Sequence, residues 1–290
     1  MIGDGRGMNE SCLTHEGRAA APGGGGRARI SALVCARNEE ARIGDCLGRL
    51  SGFDEVVVVA DRCTDATAEI ARRAGAVVLE GIFPLEGHRR EAGVARCSGD
   101  WVFEVDADEH LTPELLAELR SAVVGASGTW FRVPIDNYVG GELVRFGWGG
   151  SFGTTRGARF YRRGVKRWKA ERVHPGVVFD GPCAGDLAAP MKHFVDDDLS
   201  DMVQRLNRYT TLRATDLADS GEPGALWDNV FRGFRRFWKC YVDRQGRRDG
   251  DLGFMISLMA GLYPVISHLK AREIMKQRAA AAMKVASVAS

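Results

Sequence analysis

The sequence predicts an α/β fold: a mostly parallel central sheet flanked by helices. Three observations carry this expectation. Short apolar runs rich in Val, Ile and aromatic residues alternate with helix-like segments at βαβ spacing. One of them, Asp54–Ala60 (DEVVVVA), is nearly continuous in Val, as a parallel strand buried on both faces requires. The runs end in polar or acidic residues, which a parallel sheet gathers along one edge, and ligands of such sheets bind at that edge near a switch in strand order.

Taken in order, Arg29–Cys35 (RISALVC) reads as the first strand, followed by Ala36-Arg37-Asn38-Glu39-Glu40 and a helix to about Leu50. The Val run is the second strand and ends at Asp61. Cys63-Thr64-Asp65 caps a helix to Ala74, Gly75 stops it, and Ala76–Leu79 is the third strand. Arg89–Cys97 is the next helix. Trp101–Val105 is the fourth strand, and Thr112-Pro113-Glu114 opens a helix with Thr as N-cap and Pro at N1. Farther on, Trp130–Pro134 and Ala158–Arg162 read as strands joined by a Gly-rich stretch, Gly140–Gly157. Arg159–Arg172 is a basic stretch that reads as a solvated hairpin or as a surface for an anionic ligand. Asp196-Asp197-Asp198 precede a helix from about Leu199 to Asp219, where carboxylates complement the helix dipole.

Composition narrows the class. The formal net charge is +2, so no global field for nucleic acid is implied. The seven cysteines are odd in number and contain no CxxC, which suits reduced packing cysteines and excludes a disulfide frame or a zinc site. The N-terminus has no apolar signal-peptide core, and residues 1–28, rich in Gly, Arg and Ala, are expected to form a disordered tail. The expected division is a tail over 1–28, an α/β domain over 29–198 and a helical extension over 199–290.

The chemistry concentrates after the fourth strand, in WVFEVDADE. Asp106, Asp108 and Glu109 place three carboxylates within four residues, where they repel one another. A divalent cation relieves that repulsion, and in extended geometry Asp106 and Asp108 face the same way. The plainer alternative is a solvated acidic turn. Neither GxGxxG nor GxxxxGK[ST] occurs, so a phosphorylated ligand has no glycine cradle, and a metal on Asp108 would neutralise it instead.

The ordered set SALVCARNEE, VVVVADRCTDAT and EGHRREAGVARCSGDWVFEVDADEHLTPEL resembles glycosyltransferase family 2. These are inverting enzymes of the GT-A (nucleotide-diphospho-sugar transferase) fold, and the lipopolysaccharide-core β-glucosyltransferase-like branch is the most similar subgroup. The resemblance covers roughly residues 29–195, and more loosely extends to about 265. It implies that Ala36, Asn38, Glu39 and Asp61 contact the nucleotide base and ribose, that Arg90 contacts the nucleotide, and that Asp106 holds the ribose side. It further implies that Asp108 binds Mg2+ or Mn2+, with His193 completing the metal site. For the base that deprotonates the acceptor hydroxyl it implies Glu171 first and His174 second. The subgroup pattern Glu-x-x-His-Glu has Pro175 in place of its second Glu here. A Gly-rich loop such as 140–157 can fold over a sugar.

The tail adds a location. Val230–Arg248 interleaves Arg232, Arg235, Arg236, Lys239, Arg244, Arg247 and Arg248 with aromatics, against the single acid Asp243. Phe234, Phe237, Trp238 and Tyr241 follow helical spacing, as in an interfacial helix drawn to anionic lipid. Leu252–Leu269 is then expected to lie in the membrane surface or to form a re-entrant hairpin, with a packed C-terminal helix pair as the plainer alternative. The combined expectation is an inverting glycosyltransferase at the cytoplasmic face of the inner membrane, peripheral or monotopic. It would transfer a sugar from a nucleotide-diphosphate sugar, a UDP-sugar, to a lipid-linked saccharide such as lipopolysaccharide core or cell-surface polysaccharide. The alternatives are a sugar-1-phosphate nucleotidyltransferase and a non-catalytic membrane-bound nucleotide-sugar-binding protein.

Overall fold

The computed structural model describes residues 27–147, 154–169 and 176–288. Most of the expected N-terminal tail lies outside these residues. The chain divides into two compact units, Met1–Asp136 with Arg156–Phe194, and Asn137–Thr155 with Val195–Ser290.

The first unit is built as the βαβ pattern requires. β1 (Ile30–Ala36), β2 (Glu55–Asp61), β3 (Val77–Gly81) and β4 (Trp101–Val105) form a parallel array in the order β3-β2-β1-β4. The strand order reverses at β1, which lies between β2 and β4, so the C-terminal ends of those three strands meet at a switch point. The sheet is mixed beyond β4. β5 is Glu109–His110, β6 Trp130–Val139, β8 Arg156–Arg162 and β12 Met191–Asp196. β8 pairs antiparallel with β4 and with β6, and β12 pairs antiparallel with β5. β9 (Lys166–Trp168) and β10 (Val177–Phe179) form a separate antiparallel ribbon, and β11 (Cys183–Asp186) runs parallel to β6.

Alternation along β1 explains why the sheet carries a core on each face. Ile30, Ala32 and Val34 face α1 (Ile43–Gly48) and α4 (Pro113–Ala122), packing with Ile43, Leu47, Phe103 and Leu115. Leu33 and Cys35 face the other way, with Val57, Val59 and Val94 of α3 (Glu86–Arg96). α2 (Thr67–Arg73) spans the β2–β3 crossover. The expected cap of α4 is present: the Thr112 side chain accepts the Leu115 N–H at 3.2 Å.

The second unit is largely helical. β7 (Glu142–Val144) pairs with the C-terminal half of β6, and α5 (Leu199–Ser220) is capped by Asp198, which accepts the Asp201 N–H at 2.9 Å. α6 (Leu226–Trp238) runs into a π-helical turn, Lys239–Asp243. α7 spans Gly250–Val288 and packs on both α5 and α6. Met202, Leu206, Ile256 and Met259 form the core of this unit.

Two expectations about the tail change. Leu252–Leu269 does not turn back as a hairpin: it lies within α7, which continues through Pro264 and packs on α5 and α6. The helix is long and apolar enough to cross a membrane, and 44% of its most apolar window is buried. The aromatic face is also redrawn. Trp227, Phe231, Phe234 and Trp238 are 77%, 63%, 61% and 51% exposed and recur every three or four residues along α6. Phe237 lies off that stripe, and the π-helical turn rotates Tyr241 away from it, so the two rings stack at 5.4 Å and meet Phe254 edge-on.

α3 approaches the sheet through Gly93, where a Cβ would sit 2.5 Å from Leu33 Cδ1 and 2.8 Å from Val59 Cγ2. Gly93→Val is expected to lower stability by about 1–3 kcal/mol through overpacking. Urea unfolding with an unchanged midpoint would show that α3 has room to withdraw.

Candidate active site

The edge is assembled from the turns that end the parallel strands. β1 closes at Ala36, and the chain turns at Asn38, whose φ of 56° lies in the left-handed region that Asn tolerates. Asn38 Oδ1 accepts the Thr64 N–H at 2.8 Å, and the Glu39 N–H donates to Thr67 Oγ1 at 2.8 Å. The loop after β1 is thereby tied to the loop after β2. Burial, reinforced by the Asp108 and Asp106 carboxylates, raises the Glu39 pKa.

β2 ends in Asp61, and the next residue, Arg62, has a φ of 53°. That strained turn folds the Arg62 guanidinium back onto Asp61, with Nε and Nη2 at 3.0 and 2.8 Å from its two oxygens. The Phe83 N–H donates to the same carboxylate at 3.1 Å, and Arg89 stands 3.8 Å away. Burial alone would raise the Asp61 pKa, but these hydrogen bonds and charges outweigh it and hold the carboxyl below the usual range.

β4 supplies the acids, and its interior holds one that the apolar reading of WVFEV passes over. Glu104 is 1% exposed. It accepts from Lys166 Nζ at 2.8 Å, from Arg90 Nη1 at 3.3 Å and from the Tyr161 hydroxyl. Lys166 also donates to the Ala158 carbonyl at 3.0 Å and sits about 5 Å from the ring centres of Tyr161 and Trp168. Despite burial, which pushes the other way, Lys166 and Arg90 keep the Glu104 pKa lowered.

The turn after β4 is closed by backbone. The Glu109 N–H donates to the Asp106 carbonyl at 2.9 Å, and the Asp106 N–H donates to Glu109 Oε2 at 2.8 Å. Arg159 Nη2 lies 2.9 Å from both Asp106 Oδ2 and Glu109 Oε1, and Arg90 Nη2 lies 3.3 Å from Asp106 Oδ1. Against its burial, Arg159 and Arg90 hold the Asp106 carboxyl far below its ordinary range. Burial pushes the Glu109 carboxyl up to about 7, with Asp106 and Asp108 acting in the same direction.

Asp108 is different. Neither arginine pairs with its carboxylate, which is 31% exposed and has His193 Nε2 at 3.4 Å from Oδ2. Strand pairing brings the two together: β12 sets His193 opposite Glu109, and the Phe194 N–H donates to the Asp108 carbonyl at 3.0 Å. Burial would lower the His193 pKa, but the Asp108 contact outweighs it and the net shift is upward.

Asn38, Glu39, Asp61, Asp106, Asp108 and His193 therefore all lie on elements that converge at one strand edge, as does Ala36, the last residue of β1. Arg90 does not stand free for a ligand: it is buried, and Glu86, Glu104 and Asp106 share its guanidinium. Its neighbour Arg89, which faces Asp61 and whose Nε has no hydrogen-bond partner, is the more available cation. Glu171, His174 and Pro175 lie outside the described residues, as does the centre of the Gly-rich loop. The sequence reading missed Glu104, Arg159 and Lys166 as site components. A lone acid in an apolar strand was the one available signal.

The donor set at Asp108 is a carboxylate oxygen, which suits a hard cation, beside an imidazole nitrogen, which suits a transition metal. Among the described residues no group of three or more His, Cys, Asp or Glu side chains is arranged to hold a metal ion. A cation here would take its remaining ligands from phosphate oxygens and water. Lys166→Met is expected to cost about 3 kcal/mol by leaving Glu104 under-compensated. A loss below about 1 kcal/mol in urea unfolding would mean that Arg90 and Tyr161 suffice for it.

Residues 31–166 match the family model described as Glycosyl transferase family 2. A lipopolysaccharide core biosynthesis glycosyltransferase of Rhizobium meliloti is 27% identical over 254 residues, which is 83% of this chain and 91% of that protein. An uncharacterized glycosyltransferase of Rickettsia typhi is 38% identical over 95 residues, 32% of each chain. Among solved structures, glucosyl-3-phosphoglycerate synthase of Mycobacterium tuberculosis is 25% identical with a TM-score of 0.33, covering 39% of this chain and 44% of that one. Residues 31–166 thus carry a domain of glycosyltransferase family 2.

Proposed function

We propose that this glycosyltransferase transfers a sugar from a UDP-sugar to a hydroxyl of a lipid-linked saccharide, with inversion. The observation that carries this reading is the Asp108–His193 pair at the end of β4, beside a strand edge holding Asn38, Glu39 and Asp61. The similarity to a lipopolysaccharide core biosynthesis glycosyltransferase, which extends over most of both chains, supports lipopolysaccharide core as the acceptor class. The nucleotidyltransferase alternative loses to the family match.

In this mechanism the loops after β1 and β2 hold the nucleoside, and Asp106 supports the ribose side. Binding at Asp61 requires its oxygens to be shared with Arg62, and Arg89 offers positive charge beside them. Asp108 and His193 would hold Mg2+ or Mn2+, which when bound acts as a Lewis acid on the leaving diphosphate. Glu171, or His174 in its place, takes the proton of the acceptor hydroxyl as that oxygen bonds to the anomeric carbon. The bond from that carbon to the diphosphate breaks on the opposite face, and the electron pair leaves with the UDP.

The exposed aromatic stripe of α6, with basic residues interleaved, supports peripheral attachment to an anionic membrane at the cytoplasmic face. Two cations of this region also serve within the unit: Arg236 of α6 lies 5.2 Å from the Tyr263 ring, and Arg248, beyond α6, lies 4.3 Å from that of Phe146.

Asp108→Asn is expected to lower Mn2+-dependent UDP affinity by about tenfold or more, with circular dichroism unchanged. Calorimetric titration of UDP with and without Mn2+ reads this directly, and equal metal-dependent affinity would remove Asp108 from the metal site. Replacing Trp227, Phe231, Phe234 and Trp238 together by Ser is expected to weaken sedimentation with anionic vesicles by about 2 kcal/mol or more. Unchanged sedimentation would count against attachment through α6.

A further inference from the structure

We infer, resting on the nucleoside site proposed above, that Arg62 caps Asp61 in the free protein and swings off it when the nucleoside binds. Arg62 and the nucleoside then share the Asp61 oxygens in turn, and Arg62 sets how tightly the nucleoside is held.

Asp61 has little room for a newcomer. Its side chain is 4% exposed. A carboxylate accepts along about four directions. Arg62 Nε and the Phe83 N–H both donate to Oδ1, at 3.0 and 3.1 Å, and Arg62 Nη2 donates to Oδ2 at 2.8 Å. Arg89 Nη1 stands 3.8 Å from that second oxygen. A base N–H that is to reach Asp61 must therefore take the place of a partner.

Arg62 is the partner able to give way. Phe83 donates from its main chain, and Arg89 is rooted on α3 with its Nε buried. The Arg62 side chain is 40% exposed, so water can take over its donors once it leaves the carboxylate. Its main chain can stay where it is. The Arg62 N–H donates to the Gly81 carbonyl at 2.9 Å, and two residues on, the Thr64 N–H donates to Asn38 Oδ1 at 2.8 Å. These bonds fix the turn on either side, and rotation about side-chain bonds alone lifts the guanidinium.

The backbone points the same way. A φ of 53° is free of penalty for glycine and strained for arginine. A side chain kept in that conformation marks a position where it contributes something beyond the turn. Here it compensates a carboxylate that would otherwise be buried and ionised with too few partners while the site is empty. The contact is charge-assisted at both ends, since hydrogen bonding to Asp61 raises the Arg62 pKa. A bound base N–H takes over that compensation. The apparent affinity for the nucleoside is then its intrinsic affinity reduced by the fraction of protein that is uncapped.

The test uses uridine, which has no diphosphate to engage surface charge, titrated into the full-length protein and followed by NMR. Arg62→Ala is expected to bind uridine about tenfold more tightly than the wild type. The wild type carries a second readout that needs no altered fold: the Arg62 Nε–H resonance, assigned by its loss in Arg62→Ala. It exchanges slowly with water in the free protein and fast at saturating uridine. Unchanged or weaker uridine binding by Arg62→Ala overturns the cap, as does an Nε–H resonance that keeps its slow exchange at saturation. Asp61→Asn separates the two levels. If it loses uridine affinity while Arg62→Ala gains none, the cap fails and the nucleoside site stands. If it binds uridine as the wild type does, or if none of the three proteins binds uridine, Asp61 leaves the nucleoside site and both readings fail.

Discussion

An ionised carboxylate inside a strand is tolerable only if cations come to it, because no water reaches it there. Glu104 imposes that condition on β4, and three separate segments answer it. α3 brings Arg90, β9 brings Lys166 and β8 brings the Tyr161 hydroxyl. Apolar packing alone would let α3 slide along the sheet and would let the β9 ribbon dock in several ways. Charges that must meet at about 3 Å leave little such freedom. The second core cluster, which includes Leu33, Val94 and Tyr161, is thus laid out around a polar centre.

The same cations extend this order to the strand end. Arg90 reaches past Glu104 to Asp106, and Arg159 spans Asp106 and Glu109. Two of the three crowded acids after β4 are thereby compensated by arginine. Asp108 meets an imidazole instead and keeps partial access to solvent. The arrangement concentrates the remaining demand for positive charge on one carboxylate.

The first half of the fold was legible because its information is local. Val-rich runs, a Thr-Pro cap and Gly75 each determine structure within a few residues, and the predicted strands fall within a residue or two of β1 to β4. The acids at the strand ends were legible for the same reason. What escaped is long-range pairing. Lys166 lies 62 residues from Glu104, and Arg159 lies 53 from Asp106, so both read as members of a basic stretch, either a solvated hairpin or a surface for an anionic ligand. Arg90 and Arg89 are adjacent and alike in the sequence; only the turn of α3 against the sheet decides that one is buried and the other faces Asp61. In the tail, helical spacing placed Phe234 and Trp238 correctly on the exposed face of α6 but also assigned to it Phe237 and Tyr241, which pack against each other and Phe254 instead.

The contact between α6 and α7 is made through glycine. A Cβ on Gly233 would lie 2.4 Å from the Gly261 carbonyl oxygen, so the two backbones touch where side chains would otherwise hold them apart. An isolated amphipathic peptide is disordered in water and must surrender its conformational freedom when it folds on a surface, which offsets much of what its aromatic rings gain there. α6 is folded before any encounter, braced along its inner side by a second helix. Whatever surface the stripe of Trp227, Phe231, Phe234 and Trp238 meets, it meets with that ordering cost already met during folding. Four rings on a rigid support can therefore bind where four on a flexible tail would not.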